Sequence, residues 1–199
     1  MPLTRRTFVL GLPMLPILPI LATTMSIEAF QGLDQFASSA PPCTDDAKLT
    51  PGWPLDSSFK AGAPARSRLI PESAPGEHLA FSGTVTGVTC GRIAGARIDL
   101  WHADSRGMYD RTGFNRRGHQ LTDRDGGFRF QTVMPGAIRG RAPRLLVRVV
   151  VTGKADFSTE LFFPGQASNA ADPRFRDQLV VRLSPISPRT ASYDIILPL

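Results

Sequence analysis

Glycine and proline, 18 of each in 199 residues, interrupt this chain every few positions, and the stretches between them are short and rich in valine, isoleucine, threonine and phenylalanine. Such punctuation leaves little room for amphipathic helices and suits short strands joined by turns. Within "GARIDLW", Ile98 and Leu100 fall on one face of a strand, while Arg97, Asp99 and Trp101 fall on the other. In "TDRDGGFRFQTV" an Asp-Gly-Gly turn precedes alternating Phe128 and Phe130. Further strands read at 79–89, 144–152, 157–163, 177–183 and 191–197, with a loop over 105–120. About seven short strands at turn-punctuated spacing predict an all-β chain folded as an antiparallel β-sandwich. A hydrophobic content of 42% with 20% charged residues is enough for one domain with a sizeable core.

The segment before that domain divides in two. Residues 1–29 contain Arg5 and Arg6, then an apolar run to about Met25, and resemble a twin-arginine export signal. Pro13, Pro16 and Pro19 break the run, which argues against a stable membrane anchor. The expected location is therefore periplasmic or extracellular. Residues 30–78 are proline-rich with little periodicity and read as an extended arm, leaving 79–199 for the sandwich. Two cysteines in an oxidising compartment, Cys43 and Cys90, invite a disulfide between arm and first strand. Removing the signal takes two arginines and one glutamate from the 23 basic and 17 acidic residues, giving 21 − 16 = +5. That mild balance, without a basic stripe interleaved with aromatics or a nucleic-acid motif, points away from nucleic-acid partners.

The stretches "GARIDLWHADSRGMYD", "RGHQLTDRDGGFRFQTVMPG", "RGRAP" and "STELFFPG", taken in order over roughly residues 80–166, resemble the intradiol ring-cleavage dioxygenase family, in its exported branch. The resemblance implies a β-sandwich with a mononuclear non-haem Fe(III), held by two tyrosines and two histidines. It also implies dioxygen-dependent opening of catechol-type rings between the hydroxylated carbons. Anionic tyrosinate oxygens suit Fe(III), and an open position admits the chelating diol.

Carried over residue by residue, the family pattern is only partly present. Tyr109 matches the first tyrosine, in "WH-x-D-x-x-G-x-Y". Ile138 stands at the second tyrosine position, and Arg144 and Leu146 at those of the two histidines. Arg141 matches the arginine that the family uses against negative charge on the ring, and Glu160 replaces the usual glutamine. The chain has only three histidines, His78, His102 and His119, so no shift of alignment restores the set. An acid at 160 and a new arginine at 144 suggest an ion pair in the metal's place, with an arginine lying along the sandwich edge as the alternative. Tyr109 itself suits either a ligand or a packed, hydrogen-bonded ring.

Three functions stay open on this reading. The first is an exported intradiol dioxygenase-like protein without its Fe(III) site, a pseudoenzyme that binds an aromatic or anionic small molecule; no cofactor is then expected. The second is an active dioxygenase with an unusual ligand set, Fe(III) being its cofactor, including a relocated centre of Tyr109, His102 and His119. The third is a structural or carbohydrate-type interaction module. Whether the chain forms a homo-oligomer, as members of the family do, is left open.

Overall fold

The structure, a computed structural model, describes residues 48–71 and 73–199. The export-type segment 1–29 and Cys43 lie outside the described residues, while Cys90 is disulfide-bonded. Among the described residues there are nine strands: β1 (His78–Gly87), β2 (Arg97–Trp101), β3 (Arg117–Leu121), β4 (Gly127–Val133), β5 (Arg144–Val150), β6 (Phe157–Phe162), β7 (Arg182–Leu183), β8 (Arg189–Ser192) and β9 (Ile195–Leu197). One sheet runs β4-β1-β8-β7 with β9 also on β1, and the other runs β3-β2-β5-β6. The two sheets form the expected sandwich.

The inward faces follow the alternation in the sequence. Phe81, Val85, Phe128 and Phe130 from the first sheet meet Ile98, Leu100, Leu145, Val147, Val149 and Leu161 from the second in one buried cluster. Burying each such side chain contributes about 1.5–3 kcal/mol, which fixes the register, because a slip of one residue would turn every apolar group outward.

Three details correct the sequence expectation. The segment 105–120, read as loop, ends in edge strand β3, whose Arg117, Gly118, His119 and Gln120 carry little β-propensity and are held by pairing with β2. The expected strand 177–183 is a 3-10 turn at Asp177–Leu179 followed by the two residues of β7. The expected strand 191–197 is divided into β8 and β9, where Thr84 N–H and Oγ1 both donate to Asp194 Oδ1. Both halves pair with β1 in parallel, so the sandwich is mixed rather than wholly antiparallel.

The described residues of 48–77 carry no strand of their own, and part of this segment covers the face of the second sheet opposite the core. Trp53 N–H donates to Ser158 O at 2.8 Å, and Thr159 Oγ1 donates to Pro51 O at 2.7 Å, tying the segment to β6. Farther along, Ala65 bridges His119 of β3, and Arg68 bridges Gln131 of β4. This cover explains why Asp99 and Trp101, on the face opposite the core, are buried as deeply as Ile98. Asp99 is compensated there by Arg97, 2.7 Å away, and by Arg148 at 3.1 Å. Trp101 stacks edge-on against Phe59 and donates its Nε1–H to Ser58 Oγ.

Candidate functional site: an arginine-lined cavity

A cavity of about 890 Å³ opens between residues 56–60, the loop 106–111 and the turn 137–141, with Arg117 and Arg144 in its wall. Four of the positions singled out from the sequence, Tyr109, Ile138, Arg141 and Arg144, line it together. Glu160 lies behind this wall, and Leu146 is buried beside Trp101, its partner across the β2-β5 ladder.

Two loops bring Tyr109 and Ile138 together. Asp104 Oδ1 accepts the N–H groups of Arg106 and Met108, and Asp104 O accepts those of Gly107 and Gly136, so both loops fold on one residue. The approach is too close for side chains: a Cβ on Gly107, whose φ is +80°, would meet Ala137 O at 2.0 Å. One on Gly136 would meet Ser105 O at 2.4 Å. After Tyr109, Asp110 caps the loop by accepting the N–H groups of Thr112, Gly113 and Asn115. These bonds, led by that from Gly113, hold its carboxyl well below the usual carboxylate range.

The turn 138–141 is a two-residue hairpin. Ile138 and Arg141 exchange backbone hydrogen bonds of 3.1 and 2.8 Å, and Arg139 and Gly140 both have positive φ, +43° and +77°. That turn places Arg141 against two carboxylates. Its Nη2 is 2.5 Å from Glu160 Oε2, and its Nε donates to Asp172 Oδ2 at 2.8 Å. Asp172 Oδ2 also accepts Ala142 N–H, and its Oδ1 accepts Arg174 N–H. Burial alone would raise the Asp172 carboxyl; the Arg141 guanidinium and these backbone donors bring it below its ordinary value. Arg174 donates from Nη1 to Glu160 Oε1.

The expected partner of Arg144 is present. Its Nε lies 3.0 Å from Glu160 Oε2, and only about 5% of the Arg144 side chain and 2% of the Glu160 side chain are exposed. The Nε–H is not aligned to donate and has no hydrogen-bond partner. Among the described residues, the Arg144 side chain donates one hydrogen bond, from Nη1 to Ala142 O at 3.3 Å. Arg117, equally buried, donates to Ser58 O and Asp110 O. It faces the Tyr109 ring at 5.9 Å. Burial raises the Tyr109 phenol above its ordinary value, against the pull of Arg144 and with the push of Asp56 and Glu160. Arg148, on the same face of β5, turns away to Asp99 and Asp156.

The cavity itself tests whether this set fits a ferric centre. Of the four ligand positions implied by the resemblance, only Tyr109 offers a donor atom. A guanidinium has no lone pair to give and does not deprotonate in proteins. Relocation to the histidines is no better supported. His102 is fully buried, donating from Nδ1 to Ala103 O and accepting from Thr132 Oγ1 at Nε2, and neither His102 nor His119 lines the cavity. His119 Nδ1 lies 2.8 Å from Ala63 O. Among the described residues no three of His, Cys, Asp and Glu group as metal ligands would. The residues present do not fit the implied donor set.

Several cavity residues escaped the sequence reading: Asp56, Ser58 and Lys60 from the arm, Arg117 from an unrecognised strand, and Asp172 and Arg174 behind the wall. For the last pair a signal existed, since "DPRFR" follows closely on the Pro-Gly that ends β6 and can fold back on that strand. Nothing in the arm's composition marked Asp56 or Lys60.

The family model described as Dioxygenase matches residues 58–159, just over half of the chain. Catechol 1,2-dioxygenase 1 of Acinetobacter lwoffii is 45% identical over 64 residues, 29% of this chain and 21% of the relative. Hydroxyquinol 1,2-dioxygenase of Nocardioides simplex is 31% identical over 137 residues, 56% of this chain and 46% of the relative. The chain thus spans between about a fifth and a half of these curated relatives. Among solved structures, the dioxygenase domain of a dioxygenase carbohydrate-binding protein fusion from Streptomyces sp. SirexAA-E superposes with a TM-score of 0.74 at 36% identity, covering 76% of this chain and 99% of that one. Motifs, fold and relatives agree: this chain belongs to the intradiol ring-cleavage dioxygenase family.

Proposed function

We propose that this protein is an exported intradiol dioxygenase-like protein that has given up the ferric site and binds an aromatic or anionic small molecule in the cavity. One observation carries the reading: at a position the resemblance assigns to a histidine, the buried guanidinium of Arg144 stands 3.0 Å from Glu160. A permanent cation there opposes a metal ion and supplies donors for an anion. Its surroundings support the same sign of ligand. Seven cations, Lys60, Arg106, Arg111, Arg117, Arg139, Arg141 and Arg144, line the cavity against Asp56 and Asp110. Export rests on the twin-arginine-type segment at the N-terminus.

The test is elemental analysis and visible absorption of the purified protein, with calorimetric titration of catechol and benzoate in the presence of a chelator. Binding without stoichiometric iron, by a colourless protein, is the expected result. Stoichiometric iron with a tyrosinate charge-transfer band, and oxygen uptake on adding catechol, would overturn the reading in favour of an active dioxygenase.

A further inference from the structure

The cations of the cavity fall into two groups by depth. Arg144 and Arg141 stand at the inner end beside Glu160, whereas Arg139 is exposed at the rim, on the turn 138–141. At the inner end Arg144 lines the cavity with its Nε side held against Glu160, and among the described residues its side chain donates a single hydrogen bond, from Nη1 to Ala142 O at 3.3 Å. A guanidinium carries five N–H donors, so this one has donors left to offer an oxyanion entering the cavity.

Arg139 has φ +43°, a left-handed conformation that glycine or asparagine adopts with less strain. Its exposed guanidinium lines the cavity and has no carboxylate partner among the described residues, so it is available to a ligand at the rim.

We infer that the cavity receives a small molecule with two anionic groups, carboxylate or phosphate, one docked on Arg144 at depth and the other on Arg139 at the rim. This inference rests on the binding function proposed above and sharpens it. A singly charged molecule would satisfy only the inner end.

Calorimetric titration of the purified protein with benzoate, the three benzenedicarboxylate isomers and pyrophosphate tests it. The isomers share one ring and differ in the separation of their carboxylates; pyrophosphate separates a phosphate requirement from a carboxylate one. At least one dianion should bind tenfold or more tightly than benzoate. In Arg139→Gly the dianion should lose affinity at least tenfold more than benzoate does, so that the advantage disappears, while the thermal midpoint is kept because glycine suits the turn. Arg144→Gln should weaken every anion. Arg124→Gln, which removes an exposed charge outside the cavity, should change nothing. If benzoate binds and no dianion binds more tightly, or if Arg139→Gly weakens benzoate as much as the dianion, the two-anion inference fails and the binding function stands. If neither catechol, benzoate nor any dianion binds, both fail.

Discussion

Arg144 and Glu160 lie on adjacent strands two residues apart in register and on the same face, with Leu146 opposite Glu160 and Arg144 opposite Phe162, and this offset brings guanidinium Nε to 3.0 Å from carboxylate Oε2. Glu160 is at the same time the acceptor for Arg141 and Arg174, so one buried carboxylate holds three guanidinium groups together. Glu160→Gln removes that shared charge and leaves the cations facing one another. It should cost about 3–5 kcal/mol in urea unfolding, the range for breaking a buried pair from one side. Adding Arg144→Leu to Glu160→Gln should restore part of the loss; a strictly additive double mutant would show that the pair does not act as a unit.

His102 sets a pH limit on the fold. Complete burial, against a modest opposing effect of its bond to Ala103, lowers it to about 4 from an ordinary 6.5. The folded state thus holds the neutral ring. Stability from this source is complete above pH 6.5 and is lost as the pH falls towards 4, by about 3 kcal/mol in all. Unfolding free energies measured from pH 7.5 to 4.5 should show that decline in the native chain and a shallower one in His102→Gln. Parallel curves would refute the assignment.

Asp110 acts on the loop rather than on the whole fold. Its carboxylate accepts three backbone N–H groups and Asn115 Nδ2, and its depressed titration means that this clamp is present above the ordinary carboxylate range and released on acidification below it. In Asp110→Ala, hydrogen exchange of Thr112, Gly113 and Asn115 should accelerate at neutral pH while strand amides keep their protection. Unchanged exchange at those three amides would mean that the loop is held by something else.

The approach of the two loops at Gly107 and Gly136 is equally open to test. Gly107→Ala must adopt a left-handed φ and displace Ala137 O, so the turn carrying Ile138 and Arg141 has to move. A loss of about 2–4 kcal/mol is expected from strain and displaced packing, together with weaker anion binding. Binding unchanged in a folded Gly107→Ala protein would show that the cavity does not depend on this contact.

Period-two alternation carried most of this fold. Ile98 and Leu100, and Phe128 and Phe130, could be placed on one face from sequence because their strands are long enough to display a pattern and bury it in one core. β3 escaped because an edge strand made of Arg117, Gly118, His119 and Gln120 is held by its neighbour's hydrogen bonds, and these leave no mark in composition. The division at Asp194 escaped for a similar reason: it depends on bonds from Thr84, 110 residues away in the chain. The same contrast runs through the site. Tyr109, Ile138, Arg141 and Arg144 were legible because flanking motifs fixed their register, whereas Asp56, Ser58, Lys60 and Arg117 reach the cavity through an arm whose path is decided by tertiary contacts.

That arm has one more consequence. β3 is the outermost strand of one sheet and β4 of the other, and the residues around Ala65 and Arg68 bridge to both. Unprotected outer strands offer rows of free backbone donors and acceptors to any other copy of the chain. Because residues 56–60 of the same segment also form a wall of the cavity, peeling it away would empty the binding site and bare two sticky edges at once. On the binding function proposed above, a molecule that fills the cavity would hold this segment in place and so also keep the two edges covered.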